Sequence, residues 1–188
     1  MKKKGLISFI WALFSLLPIA CQAAFDYDAM IHLDAEDLAE TGIKDAYEKD
    51  VLPQLRLYVK HPFSIEEIIN DDNGSYSVIA NDKKYDIYNN NEQTNEYDLW
   101  GYATYALFDI INRQLASSNR KFYAFYADND LSGMFLTEEE YQRCVSDLIK
   151  EKATKYNFPY FPTIEAPWFG LPHDKTSPVR PIPPWLNQ

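Results

Sequence analysis

Five residues between 128 and 139 have the type and spacing to hold a hard cation. Counting from Asp128 as the first position, Asp130 stands at the third, Ser132 at the fifth, the Met134 carbonyl at the seventh and Glu139 at the twelfth, with Gly133 at the sixth. Calcium takes six to eight oxygen ligands from a tight turn, closed by a bidentate carboxylate on the following helix, and glycine at the sixth position makes the sharp bend. Three carboxylates would give a modest affinity, on the order of 10⁻⁴ M. Ser132 replaces the commoner Asp or Asn, and Leu136 at the ninth position has no ligating atom. A second reading uses the same letters: "ADNDLSG" is turn-forming, Leu136 can staple, and Thr137 with Glu140 forms a capping box for the helix that follows. The cap accounts for Leu136, Thr137 and Glu140 together, so a turn leading into a capped helix is expected. The two readings differ over "KFYAFYA", which must be an entering helix for calcium.

Other chemistries find less support. The chain has no G-x-S-x-G, no H-E-x-x-H and no phosphate-binding loop. His32, His61 and His173 lie far apart in sequence, which argues against zinc. Carboxylate pairs such as Glu66 with Glu67, or Asp71 with Asp72, would suit a small periplasmic hydrolase, but runs of this kind are usually solvated faces. Cys144 sits at helical spacing with Tyr141, Val145 and Leu148, which predicts a buried thiol.

The N-terminus carries an export pattern. Lys2, Lys3 and Lys4 precede an apolar run from Leu6 to Leu17, and small residues follow in "IACQAA". Cleavage before Ala24 would release residues 1–23; "LPIAC" offers the alternative of a lipid anchor at Cys21. Loss of those three lysines takes the formal charge from −10 to −13. Such acidity opposes nucleic-acid binding, because phosphate is repelled, and permits a basic protein partner or a bound cation. The exported protein is expected to have no transmembrane span and to reside in the periplasm.

The patterns predict one α+β domain over 24–170, with about three main helices on a three- to four-stranded antiparallel sheet, and an extended proline-rich tail over 171–188. Asp34 is an expected N-cap, and Ile43, Tyr47, Val51, Leu55 and Val59 form an apolar stripe interrupted at Gly42 and Pro53. "SIEEIIND", "GSYSVIAN" and "KKYDIYNN" read as a meander joined by turn signals. Trp100, Ala103, Leu107, Ile110, Ile111 and Leu115 make the broad face of a central helix, and a last helix is expected over 137–155. Eight of the eleven prolines fall between Pro159 and Pro184, where Phe158, Tyr160, Phe161, Trp168 and Phe169 suggest a segment wrapped onto the body.

Two resemblances follow. Residues 128–139 resemble a single EF-hand loop, which implies a calcium-binding envelope protein. The overall plan, with "GYATYALFDIINRQL", "FYAFYADNDLSGMFLT" and the "PYFP…PWFG" segment, resembles the small exported immunity proteins of Gram-negative bacteria, antidotes to toxins delivered by contact-dependent or type VI systems. That likeness implies a non-enzymatic protein that occludes a toxin's active site with a pre-folded, charged surface. Acidic clusters such as Glu36, Asp37 and Glu40, or Glu92, Glu96 and Asp98, would then meet a basic rim.

Overall fold

Apolar stripes and alternating strands of these kinds must bury one another, and a computed structural model shows that the strands do so in two small sheets rather than the single three- to four-stranded sheet expected. It describes residues 25–70, 72, 74–89, 96–126, 128–153 and 158–164. The export pattern at 1–23, Trp168 with Phe169, and the tail at 171–188 lie outside the described residues.

The chain is α+β, with two three-stranded antiparallel sheets. Strand β1 (Ile31–His32) leads into α1 (Ala35–Glu40), capped by Asp34, whose Oδ1 accepts the amides of Glu36 and Asp37 at 2.9 and 3.2 Å. Gly42, at φ 120°, turns the chain into α2 (Ile43–Ala46), a π-helical stretch (Tyr47–Val51) and α3 (Leu52–Leu55), which run as one rod. The expected stripe is present: Ile43, Tyr47, Val51 and Leu55 are fully buried. The interruption at Pro53 takes the form of the π turn. Proline has no N–H to donate to the carbonyl four residues back, and its ring crowds that carbonyl, so the preceding turn widens and the Leu52 amide reaches the Tyr47 carbonyl.

Strands β2 (Ile65–Asn70), β3 (Ser75–Ala80) and β4 (Lys83–Asn89) form the expected meander, in that order. Helix α4 (Glu96–Gln114) is the central helix; Ala103, Leu107, Ile110 and Ile111 on it, with Leu115 just beyond, are buried. Strand β5 (Arg120–Phe125) and β6 (Ser132–Thr137) complete a second sheet in the order β1–β6–β5. Helix α5 (Glu138–Lys150) closes the fold. It is shorter than the expected 137–155: Lys152 turns to φ 54°, and the Ala153 amide bonds back to the Leu148 carbonyl, which ends the helix.

The second sheet is covered on both faces. Phe122, Ala124 and Phe135 join the main core, whereas Tyr123, Phe125, Met134 and Leu136 pack with Tyr141, Cys144 and Leu148 of α5. Tyr160 bridges to Ala124 of β5, and the Phe161 ring lies 4.5 Å from that of Tyr123, so this part of the C-terminal segment wraps onto the body as expected. Among the described residues, no helix is long and apolar enough to cross a membrane.

Candidate functional site

The five candidate calcium ligands fall on three different elements. Asp128 and Asp130 begin and end a 3-10 turn (Asp128–Asp130); Asp130 is exposed, and the side chain of Asp128 lies outside the description. Ser132 and Met134 are buried within β6, and Glu139 is exposed on α5, 3.5 Å from Arg143. "KFYAFYA" is mostly strand β5 rather than an entering helix. A strand advances about 3.3 Å per residue, so β6 alone separates the turn from α5 by roughly 17 Å, whereas calcium ligands must all lie within about 2.6 Å of one ion. Among the described residues, no group of three or more His, Cys, Asp or Glu side chains could hold a metal. These residues do not fit an EF-hand site, and the expected turn is also only part of the answer. The stretch is a short turn, then the central strand of a sheet, then a capped helix.

The cap itself is formed. Thr137 Oγ1 accepts the Glu140 amide at 3.2 Å, and Glu140 Oε2 accepts the Thr137 amide at 2.7 Å. Thr137→Ala should therefore cost about 1 kcal/mol in urea unfolding. Asp128→Asn and Glu139→Gln should leave the melting temperature unchanged with or without millimolar calcium. A stoichiometric calcium heat that disappears in Glu139→Gln would reverse this conclusion.

Arg120 extends the cap into the sheet by donating from Nη1 to Glu140 Oε2 at 2.7 Å and to the Phe135 carbonyl at 3.0 Å. Burial alone would raise the Glu140 pKa, but bonds from Thr137 and Arg120 outweigh it and hold the carboxyl below its ordinary value. A depressed carboxylate contributes stability above its unfolded pKa, about 4.3 for Glu, and loses it as pH falls through the lower folded value. The stability gap between the parent and Glu140→Gln should accordingly narrow as pH drops below about 4, as read by urea titrations across the acid range.

Carboxylates converge elsewhere. A cleft of about 400 Å³ is lined by Asp34, Asp37, Asp45 and Asp50, with His32 at one end. Among the described residues, Lys49 is the one lysine or arginine in its lining, and it pairs with Asp45 at 2.6 Å. Three local features place these acids together. Pairing of β1 with β6 sets His32 against Ser132, the Asp34 cap orients α1, and the turn at Gly42 folds α2 back beside it. The start of α2 is held from the first sheet: Glu67 Oε1 accepts the Lys44 amide at 2.9 Å and the Tyr76 hydroxyl at 2.5 Å, while that hydroxyl accepts the Ile43 amide at 2.9 Å. Glu67 thus serves as a remote cap. It does not act as half of a catalytic pair with Glu66, which points to the opposite face of β2.

A neighbouring cleft of about 330 Å³ shares His32 and Leu33 and adds Tyr126, Asp130 and Ser132. Ser132 Oγ lies 3.5 Å from His32 Nδ1 and also 3.4 Å from the Asp130 carbonyl. Nucleophilic use would require a shorter bond and free amides for an oxyanion, but Ser132 is paired on both sides within its sheet. Cys144 is fully buried, and that burial pushes its thiol up to about 11, which leaves almost no thiolate.

The acidic cleft was not anticipated from sequence. Of the expected acidic cluster Glu36, Asp37 and Glu40, only Asp37 lines it. Glu92 and the side chain of Glu96 lie outside the description. Comparison with family models, with curated proteins and with solved structures finds no match.

Proposed function

We propose that this chain is an exported, non-enzymatic binding protein, an immunity protein that neutralises an antibacterial toxin in the periplasm. The observation that carries the reading is the cleft of four aspartates bordered by α1 and the α2 rod, with Lys49 in its lining already paired to Asp45. Such a surface suits the guanidinium or ammonium groups on the rim of a basic partner, and its field speeds encounter more than it adds affinity. The export pattern and a formal charge near −13 without residues 1–23 agree with an acidic antidote.

Protection is the direct test. Exporting the chain together with a secreted toxin encoded beside its gene should restore growth. With purified toxin, a double variant carrying Asp37→Lys and Asp50→Lys should associate about tenfold more slowly, and the salt dependence of the on-rate should flatten. These two positions leave the Asp34 cap intact. Absence of any protection by the unaltered chain removes the reading, and an unchanged on-rate in the double variant moves the contact away from the cleft.

A further inference from the structure

The segment ahead of β1 is built into the fold against α5. Phe25, Tyr27 and Met30 pack on the core cluster that α5 forms with the second sheet. The rings of Phe25 and Tyr27 meet edge to face at 4.9 Å, and the Tyr27 hydroxyl lies 3.9 Å from Cys144 Sγ. A 3-10 turn over Tyr27–Ala29 is capped by Asp26 Oδ1, which accepts the Asp28 amide at 2.9 Å and fixes the direction of the chain ahead of it. Tyr27 thus meets α5 at Cys144. The Phe25 amide donates to the carboxylate of Asp147, almost one turn further toward the C-terminal end of the helix. Cys144, Asp147, Leu148 and Glu151 follow one another at spacings of three and four, so they share a face. Traced backwards, the segment runs along that face toward the end of α5. A helix C-terminus carries partial negative charge and favours a cation. Asp147 strengthens that field. Lys150 Nζ, 2.9 Å from its Oδ1, and the Phe25 amide outweigh its burial and hold the carboxyl below its ordinary value. Arg143, one turn back, is drawn to Glu139 at 3.5 Å.

We propose that export processing completes this end of the molecule: cleavage before Ala24, which rests on the export reading above, creates an α-amine that pairs with Asp147 at the C-terminal end of α5. Consecutive Cα atoms are about 3.8 Å apart. With the Phe25 amide already bonded to Asp147, the nitrogen of residue 24 is within one residue's reach of the same carboxylate. Hydrolysis of the peptide bond between Ala23 and Ala24 consumes one water and leaves a carboxylate on Ala23 and an amine on Ala24. An α-amine has an ordinary pKa of about 7.7–8.0, so at neutral pH it is mostly the ammonium ion. Processing therefore turns a neutral amide into a cation beside a carboxylate and a helix C-terminus. An uncut chain, or one anchored at Cys21, keeps the neutral amide at residue 24 and forms no such pair. The Asp147 side chain is 23 % exposed, so the pair is partly screened and its effect modest.

The exported form, residues 24–188, is prepared with a free amine on Ala24, with that amine acetylated, and with Gln22 and Ala23 retained ahead of it. At neutral pH and low salt the free-amine chain should melt about 2–4 °C above the other two. In Asp147→Asn, whose side-chain oxygen still accepts the Phe25 amide, all three forms should melt together. Lys150→Gln removes the competing cation and should widen the gap, which keeps the test open should Asp147→Asn fail to fold. Equal melting of the free and acetylated parent chains overturns the pair, and so does a gap that survives in Asp147→Asn. Mass spectrometry of the envelope protein tests the cleavage separately. An N-terminus other than Ala24 removes the pair together with the expected cleavage, whereas equal melting removes the pair and leaves the export reading standing.

Discussion

Gly133→Ala should destabilise the protein by about 3 kcal/mol, at the upper end of the usual cost of overpacking a core. A Cβ at this position would stand 2.1 Å from Phe122 Cζ, with both ring Cε atoms within 2.8 Å. The ring cannot move aside, because it is stacked 4.8 Å from Phe108 and lies 4.6 Å from Phe135, all within the buried core. Gly133 pairs with Ala124 and Phe122 with Phe135, so the phenyl ring reaches diagonally across the sheet over the bare glycine. A calcium loop would need this glycine for its backbone freedom; in β6 it is needed for the volume that it leaves empty. A double-mutant cycle separates the two roles. If volume is the cause, Phe122→Leu should recover part of the Gly133→Ala penalty, giving a coupling above about 1 kcal/mol between neighbours. Additive losses in urea unfolding would return the explanation to backbone conformation.

The same residue shows where sequence reading stops. The stripe from Ile43 to Leu55 was legible because only one face of that rod is buried, which leaves a periodicity of about four. The meander was legible from its turns and its β-branched residues. Strand β6 was not, because "SGMFLT" is buried almost throughout and shows no alternation, and its first half is built from turn-forming letters. A central strand is specified by what lies on both sides of it, here Ile31 and His32 on one edge and 120–125 on the other. Those partners are respectively about a hundred residues away and next door, and only the second is suggested by local composition. The acidic cleft was hidden for the same reason: Asp34, Asp37, Asp45 and Asp50 look like solvated helix faces until the β1–β6 pairing and the Gly42 turn set them around one hollow. Thr137 and Glu140, in contrast, act within one helical turn, and the capping box read from four letters is the one found.

Asn112→Ala should cost about 3 kcal/mol, because it strips partners from both the amide and the carbonyl of Phe122; a buried group left unsatisfied loses about 1–3 kcal/mol. Asn112 projects from α4 and takes the place that a neighbouring strand would occupy, donating to the Phe122 carbonyl and accepting from its amide. Its amide nitrogen also donates to the Phe108 carbonyl at 3.0 Å, which fixes the side chain to its own helix. Asn112→Asp tests the donor separately. A carboxylate still accepts the Phe122 amide but stands against two carbonyl oxygens, those of Phe122 and Phe108, so folding favours the protonated acid and raises its pKa above the ordinary value of about 3.9. The deficit of Asn112→Asp relative to the parent should be full at neutral pH and shrink as pH falls through that raised value. A pH-independent deficit, or a loss below about 1 kcal/mol in Asn112→Ala, would mean that β5 is held by packing alone. With the amide contacts removed, β5 would present open backbone groups at Phe122 beside the Tyr160 bridge at Ala124, and β-rich aggregation should rise in Asn112→Ala well before global unfolding.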